Sequence, residues 1–242
     1  MARVAVCVPC WNQLVYTKRM VESVERNSAG HEVTFILLDN GSTDGTRDYL
    51  NRVVSERQRP RDRVIELDAN EGVNPAWNHL LGAVFAVDDG SNMFDVICLA
   101  NNDIVVGPGW LDAPAKALAR DANSAYFLAN GGPFAERTFE VEAEEMRQRF
   151  ANQRAPGKAG WCFFFTYRHV WRFWPIPHEL VLWYGDDWIH HKLANAGFCC
   201  ETLLDCCVLH FGSKSVAEYP DKVATIQRDR EAFRRLTGLD VR

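Results

Sequence analysis

The sequence has no long apolar run and no strong excess of one charge. No stretch of about 18 apolar residues could cross a bilayer, and no positively charged leader precedes an apolar segment. The 27 basic and 32 acidic residues give a net charge of −5, so the composition lacks the cationic excess typical of general nucleic-acid binders. These absences favour a cytoplasmic protein that acts on small molecules.

The sequence also lacks the cysteine spacing of a secreted disulfide framework, although it contains eight cysteines. Cys7 lies inside an apolar run, and Cys199-Cys200 and Cys206-Cys207 are adjacent pairs. Cys7 and Cys10 match half of a redox or zinc motif, but no second pair completes a four-ligand site. We therefore expect reduced, structural thiols.

Apolar runs and helical patterns alternate along the first hundred residues. With 242 residues, 47% of them hydrophobic and 24% charged, the chain is large enough for one α/β domain with a full core. Short, mainly apolar runs at 4–8, 33–38, 64–67 and 95–100 predict buried strands, with helices between them. This order predicts right-handed crossovers and a parallel sheet with helices on both faces.

The second half of the chain is less regular. Its pattern predicts short strands at 125–128, 161–165 and 206–209, and an exposed helix or mobile loop at 140–153. It also predicts a helix at 185–196 that Gly197 ends. Asp186 and Asp187 lie at the start of that last helix, where carboxylates complement the helix dipole and the free N–H groups. Capping alone does not require two adjacent carboxylates.

Polar side chains follow two of the predicted strands. Open α/β sheets bind ligands beyond the carboxyl ends of their strands, and the fourth strand ends at Asn101-Asn102-Asp103. These groups suit a hard divalent cation and a phosphate. The second strand ends at Asp39, whose carboxylate either meets a ligand or shapes the following Asn40-Gly41 turn.

Six short segments occur in order at Val8–Asn12, Leu38–Thr46, Asn70–Gly72, Asn101–Asp103, Gly185–Asp187 and Val208–His210. Together they resemble the signatures of the family-2 inverting glycosyltransferases of GT-A fold, over roughly residues 2 to 212. The resemblance implies a GT-A, Rossmann-like α/β fold with a mixed, mainly parallel sheet and helices on both faces. It also implies a single domain with a nucleotide-sugar half at 1–105, an acceptor and catalytic half at 106–215, and a helical tail at 216–242.

The resemblance further implies a nucleotide-sugar donor, most simply a UDP-sugar. Asp39 would accept a hydrogen bond from the base, and Asn101 would face the ribose. Because the chain lacks the arginine or lysine often found beside Asn70–Gly72, Lys214 would help to neutralise the diphosphate. The other donor contacts that the resemblance implies are Pro9, Cys10, Trp11, Asn12, Asn70, Gly72, Asn78, Asn102 and Asp103.

The resemblance implies that Asp103 and His210 hold a divalent metal ion, Mn²⁺ or Mg²⁺. The family's motif has an aspartate where this chain has Asn101, so one carboxylate is missing. A donor diphosphate supplies oxygen ligands of its own, and metal dependence is therefore expected to survive this change. Metal affinity without nucleotide should be weak.

Asp187, with Asp186 beside it, is the catalytic base that the resemblance implies. Such a base removes a proton from the acceptor hydroxyl as its oxygen attacks the anomeric carbon. Nearby aromatic side chains predict a wall for a sugar ring or another flat acceptor, with packing between helix and sheet as the alternative. This predicted wall consists of Trp161, Trp183, Tyr184 and Trp188.

Two other functions remain open from the sequence. A nucleotidyltransferase would share the layout, but Pro9–Asn12 replaces its glycine-rich loop after the first strand. A non-catalytic nucleotide- or carbohydrate-binding module is favoured if the carboxylates of Asp186 and Asp187 point away from the cleft. The acceptor is expected to be a saccharide or another glycan precursor, with a modified nucleobase in DNA as the alternative. Such a polyanion would bind to a track formed by Arg147, Arg149, Arg154, Lys158, Arg168 and Arg172.

Overall fold

The alternating sequence folds into one mixed sheet of nine strands in the computed structural model, which describes residues 1–88, 93–157, 160–212 and 214–240. The strands are β1 (Arg3–Cys10), β2 (Glu32–Asn40), β3 (Arg63–Leu67), β4 (Val96–Ala100), β5 (Ile104–Val106), β6 (Ala125–Asn130), β7 (Arg154–Pro156), β8 (Cys162–Phe165) and β9 (Cys199–His210). The helices are α1 (Leu14–Asn27), α2 (Thr46–Arg57), α3 (Val73–Val87), α4 (Asp112–Asp121), α5 (Phe139–Arg149), α6 (Tyr167–Phe173), α7 (Gly185–Asn195), α8 (Lys214–Ala217) and α9 (Lys222–Thr237).

The strand order is β3-β2-β1-β4-β8-β6-β9-β5, and β7 pairs with β9. The first four strands form the predicted parallel block. Beyond β4 the direction changes, because β8 runs antiparallel to both β4 and β6. The predicted mixed α/β sheet is confirmed, and the carboxyl ends of β1, β2 and β4 lie at one edge.

Helices cover both faces of the sheet. Side chains of successive strand residues point to opposite faces, so Val4 and Val6 pack on one side while Ala5 and Cys7 pack on the other. Helix α1 covers the first face, and helices α3 and α9 cover the second. The exposed helix expected near residues 140–153 is α5, whose buried residues are Phe139 and Ala143.

Two strands were not predicted, and one is longer than expected. Strands β5 and β7 have three residues each, too few for a periodic pattern to be recognised. Strand β9 has 12 residues rather than the short apolar run at 206–209, because its first half is only partly buried.

All eight cysteines are free thiols, as expected. Within the described residues, no helix is both long and apolar enough to cross a membrane. Lys158, which the sequence placed in a basic track, lies outside the described residues.

Candidate active site

One cleft opens at the carboxyl edge of the parallel strands. It encloses about 520 Å³ of empty space, part of it open to solvent. Most of its lining comes from the ends of β1, β2 and β4 and from the chain after β9. The lining residues are Pro9, Cys10, Trp11, Asn40, Asn70, Val73, Asn101, Asn102, Asp103, Leu182, Val216 and Tyr219.

Asp103, which lines this cleft, meets His210. Strand β5 pairs antiparallel with β9 and aligns Ile104 with His210, which brings Nε2 of His210 to 3.2 Å from Oδ1 of Asp103. Nε2 is buried and makes no hydrogen bond with acceptable geometry. An imidazole nitrogen and a carboxylate oxygen that converge in this way are suited to share a cation.

The negative charge of Asp103 is stabilised even though the residue is buried. Burial raises the pKa of Asp103, but His210 and the backbone N–H of Lys214 outweigh burial, and the net pKa lies below its usual value. The Lys214 nitrogen lies 3.0 Å from Oδ2. Lys214 therefore acts on this carboxylate through its main chain.

Trp161 orients His210. The two rings stack with centroids 5.0 Å apart and planes 16° apart. The carbonyl of Trp161 accepts the Asn101 N–H at 3.0 Å, and a Cβ on Gly131 would lie 2.4 Å from the indole. Trp161 thus packs beneath the histidine and joins the end of β4 to the start of β8.

Asp39 is fully buried at the end of β2 and already has protein partners. Its Oδ2 accepts a 2.8 Å hydrogen bond from Nε of Arg47, and both oxygens lie 3.3 Å from the Ser42 N–H. Arg47 also donates to the Leu67 carbonyl at 2.5 Å. The turn-shaping role that the sequence left open is therefore present.

Asn40 was not predicted, although it links two of the predicted segments. Its Nδ2 donates to Oδ1 of Asn70 at 2.9 Å and to the Gly72 carbonyl at 3.1 Å, and its Oδ1 accepts the Glu71 N–H at 3.0 Å. The Asn70–Gly72 loop is thereby attached to the end of β2.

Asn12 holds the loop after β1 against the loop after β2. Its N–H donates to Ser42 Oγ at 2.9 Å, and its Oδ1 accepts the Thr43 N–H at 2.8 Å. Asn102 is similarly engaged, because its Nδ2 donates to Thr17 Oγ1 of α1 at 3.0 Å. Both residues shape the cleft.

Asp186 and Asp187 lie in the first turn of α7. The side chain of Asp186 is directed towards Gly160, where an added Cβ would lie 2.5 Å from Oδ2 of Asp186. Gly160 precedes Trp161, which stacks on His210, so the Asp186 carboxylate packs against the segment that supports this histidine. This position of Asp186 disfavours the binding-module alternative, which requires the carboxylates to point away.

Burial is the main electrostatic influence on both carboxylates of α7. It raises the pKa of Asp186. The pKa of Asp187 is also raised, first by burial and then by the charge of Asp186, while His190 opposes the shift. Groups held above their ordinary pKa in a cleft are candidates for proton transfer.

Three predicted contacts are corrected by the structure. Tyr184 is buried and stacks on Phe233 of α9 at 5.7 Å, and Trp188 donates its indole N–H to the Phe173 carbonyl at 3.0 Å. Both therefore pack in the core. Asn78 is not among the residues lining the described cleft, because its carboxamide bonds both backbone groups of Ile176 at 2.8 Å.

Trp183 is the aromatic side chain of the predicted wall that stays exposed, with 39% of its surface accessible. The cleft is also lined by three residues that were not predicted, Leu182, Val216 and Tyr219. No sequence pattern connects these residues to β1, β2 and β4, which end more than 80 residues earlier. Tyr219 lies edge-on to Trp11 at 6.2 Å.

Comparison with known proteins gives one family. The family model described as glycosyl transferase family 2 matches residues 5–174. Among curated proteins, a search found no match to the sequence.

Solved structures share the fold at low identity. GalNAc-T7 with UDP, GalNAc and Mn²⁺ has a TM-score of 0.63 and 14% identity, covering 94% of this chain and 48% of that chain. The mannosyltransferase PcManGT from Pyrobaculum calidifontis in complex with GDP-Man and Mn²⁺ has a TM-score of 0.67 and 18% identity, covering 97% and 64%. The chain therefore spans about half to two thirds of these relatives, and the GT-A fold is confirmed.

Proposed function

The chain belongs to glycosyl transferase family 2, and on this premise we propose that it moves a sugar from a nucleotide-sugar to an acceptor hydroxyl with inversion at the anomeric carbon. The observation that carries the proposal is the approach of His210 to Asp103 beside the cleft, with Asp186 packed against Gly160, the residue before the tryptophan that stacks on His210. Family membership favours this transfer over the nucleotidyl transfer that the sequence left open. The reduced cysteines support a cytoplasmic reaction.

The donor would lie across the ends of β1, β2 and β4. Pro9, Cys10 and Trp11 offer a partly apolar surface to a base or ribose, and Asn101 faces the same space for a ribose hydroxyl. UDP is the nucleotide we favour. Because Arg47 and Ser42 occupy Asp39, a uracil imide would have to use the lone pairs that these donors leave.

A divalent ion, Mn²⁺ or Mg²⁺, fits the Asp103 and His210 pair. Among the described residues no cluster of three or more ligating side chains occurs, so a bound ion would need oxygen ligands from the donor diphosphate. When bound, it would supply positive charge beside the leaving group. Asn70 and Gly72, fixed by Asn40, would close over the diphosphate.

Asp187 is our candidate for the base. The acceptor hydroxyl would give its proton to this carboxylate while its oxygen bonds to the anomeric carbon and the bond from that carbon to the phosphate oxygen breaks. Burial keeps the Asp187 pKa above its ordinary value, which makes the carboxylate a better proton acceptor. Asp186 would hold the acceptor or the loop at Gly160.

We favour a saccharide or another glycan precursor as acceptor, with Trp183 available for stacking against a sugar ring. A DNA base is less favoured, because two members of the predicted basic track are paired with acids. Arg147 bonds Glu144 at 2.9 Å, and Arg154 bonds Glu201 at 2.9 Å and Asp121 at 2.6 Å.

Donor hydrolysis tests the proposal most directly. UDP-, GDP- and dTDP-sugars are incubated with the enzyme, each with Mn²⁺ and with excess chelator, and release of the nucleoside diphosphate is measured. We expect release from one nucleotide class and its loss with chelator. Undiminished release in chelator would contradict the metal assignment, and no release from any donor would contradict transfer.

Replacement of Asp187 by asparagine tests the base. Asp187→Asn keeps the shape but removes the proton acceptor, so transfer should fall about 100-fold or more while the Kd for nucleotide stays close to wild type. Asp186→Asn is the matched control and should lose less activity. A larger loss in Asp186→Asn, or wild-type turnover in Asp187→Asn, would contradict the assignment.

A further inference from the structure

A buried carboxylate on the C-terminal helix α9 holds the segment before the base helix. Asp229 is 1% exposed. Its Oδ1 accepts the Val181 N–H at 3.1 Å, and its Oδ2 accepts those of Leu182 and Trp183 at 2.7 and 2.8 Å. Three consecutive backbone donors on one carboxylate fix a loop more tightly than neutral hydrogen bonds would.

The same segment is held from its other side by the first turn of α3. The Val181 carbonyl accepts the Asn74 N–H at 3.1 Å, and the Trp183 carbonyl accepts Nδ2 of Asn74 at 2.9 Å. A Cβ on Gly72 would lie 2.4 Å from the Val181 oxygen. Residues 181–183 therefore lie between the loop assigned to the donor and helix α9.

The backbone next to this segment has a conformation that needs support. Tyr184 has φ +62°, a left-handed value that non-glycine residues retain only where surrounding contacts hold them. Its ring stacks on Phe233, again from α9. Gly185 and the two carboxylates of α7 follow immediately, so contacts made by α9 set where α7 begins.

We propose that Asp229 is a positioning residue for the transfer reaction, acting through residues 181–183 on the placement of Asp187. This inference rests on the proposed function. Asp229 does not touch the reacting atoms in this account. It orients the base through the loop.

Asp229→Asn tests this role, because an NH2 group replaces one carboxylate oxygen. That NH2 group faces backbone N–H donors and cannot accept hydrogen bonds from them. We expect kcat to fall on the order of tenfold to a hundredfold, as for a misplaced catalytic group. The Kd for UDP or GDP with Mn²⁺ should change by less than about threefold, because strands β1, β2 and β4 are untouched. Hydrogen exchange should speed up at residues 181–183.

Asp62→Asn is the matched control. Asp62 is also buried and accepts the Phe35 N–H at 2.9 Å and Nε of Arg57 at 2.6 Å, but it precedes β3 at the opposite edge of the sheet. This variant should lose stability without losing kcat. An equal fall of kcat in both variants, or wild-type kcat in Asp229→Asn, would overturn the proposal.

Two measurements distinguish a failure of this proposal from a failure of the variant to fold and from a failure of the proposed function. If Asp229→Asn does not fold, Phe233→Leu, which trims the ring beneath Tyr184, should lower kcat and leave nucleotide affinity unchanged, and unchanged kcat would overturn the role of α9. If the wild type transfers no sugar, the proposed function fails. Hydrogen exchange still decides whether Asp229 anchors the loop, and unchanged protection at 181–183 overturns the anchoring.

Discussion

Individual buried acids in this protein differ in whether their charge is compensated. Asp39, Asp103 and Asp229 all accept hydrogen bonds from N–H groups of the backbone or of a side chain. Burial instead dominates at Asp186 and Asp187, whose pKa values are raised. Burial that raises the pKa values of these two carboxyl groups does not stabilise the fold at neutral pH. Both side chains are therefore candidates for a functional role.

Asp186→Asn should therefore stabilise the protein at neutral pH. Because burial raises the folded-state pKa of Asp186, the ionised form costs stability above that pKa, and the cost disappears as pH falls through it. We expect a Tm at pH 7 higher by about 2 °C or more, with a smaller difference near pH 4, measured by differential scanning fluorimetry.

Asp95→Asn is the control with the opposite sign. The hydrogen bond and charge of Arg3 lower the pKa of Asp95, so its carboxylate contributes stability at neutral pH that is lost on acidification. Because this pair is about half exposed, the effect should be small. A lower Tm for Asp186→Asn at pH 7 would contradict the account of its burial.

The same pH argument applies to activity. A base must be ionised to accept a proton, so the raised pKa of Asp187 should place the acidic limb of the kcat profile above the usual aspartate range. A limb at the ordinary value would count against Asp187.

Some residues of the proposed site were candidates from the sequence alone because their chemistry is local. Asp103 follows an apolar strand directly, and Asp187 begins a helix. Tyr184 and Trp188 were assigned to an acceptor wall because they are close to Asp187 in the sequence. Closeness in the sequence does not show which of these side chains are buried. Asn40 was missed because its partner Asn70 lies 30 residues away.

At the scale of elements, loops at the carboxyl edge depend on close backbone contacts. Gly72 has φ +99°, and the Val181 carbonyl occupies the space where a side chain would begin. Gly72→Ala should cost stability on both counts, by about 1–3 kcal/mol, and should reduce transfer. The measurement is urea denaturation together with donor turnover.

Gly82→Ala is the matched control for that substitution. Gly82 lies inside α3, where an added Cβ would meet only Trp174 at an ordinary 3.6 Å. Alanine in a helix interior should stabilise by about 0.5–1 kcal/mol without changing turnover. If both variants were equally neutral, the tight contact between Gly72 and Val181 would be contradicted.

Elements with a clear period were predicted well, and short ones were not. The buried strands β1 to β4 and helices α1 to α3 follow from apolar spacing. Strands β5 and β7 form only because β9 offers an edge to pair with, which is a tertiary cause that three residues cannot reveal.

For the whole molecule, donor and metal binding should be coupled. Asp103 and His210 are the protein ligands we assign, so Mn²⁺ alone should raise Tm by less than about 1 °C. Nucleoside diphosphate with Mn²⁺ at about 100 times Kd should add roughly 2.7 kcal/mol, or about 5 °C or more in Tm.

His210→Asn is the control for this thermal shift. It should remove most of the Mn²⁺-dependent part while leaving a smaller shift from nucleotide alone. An equal response of both proteins to nucleotide with Mn²⁺ would show that the ion binds elsewhere.

The residues that contact Asp103 are synthesised much later than Asp103 itself, and this order has a consequence for biosynthesis. Asp103 emerges from the ribosome early, but the Lys214 backbone that bonds it comes 111 residues later, and β9 must pair with β5 before His210 arrives. The N-terminal strands can assemble while the rest is still being translated. A nascent chain that stops before Lys214 should therefore be inert towards nucleotide-sugars, and competence should arise only after residues 199–214 have been translated and have folded.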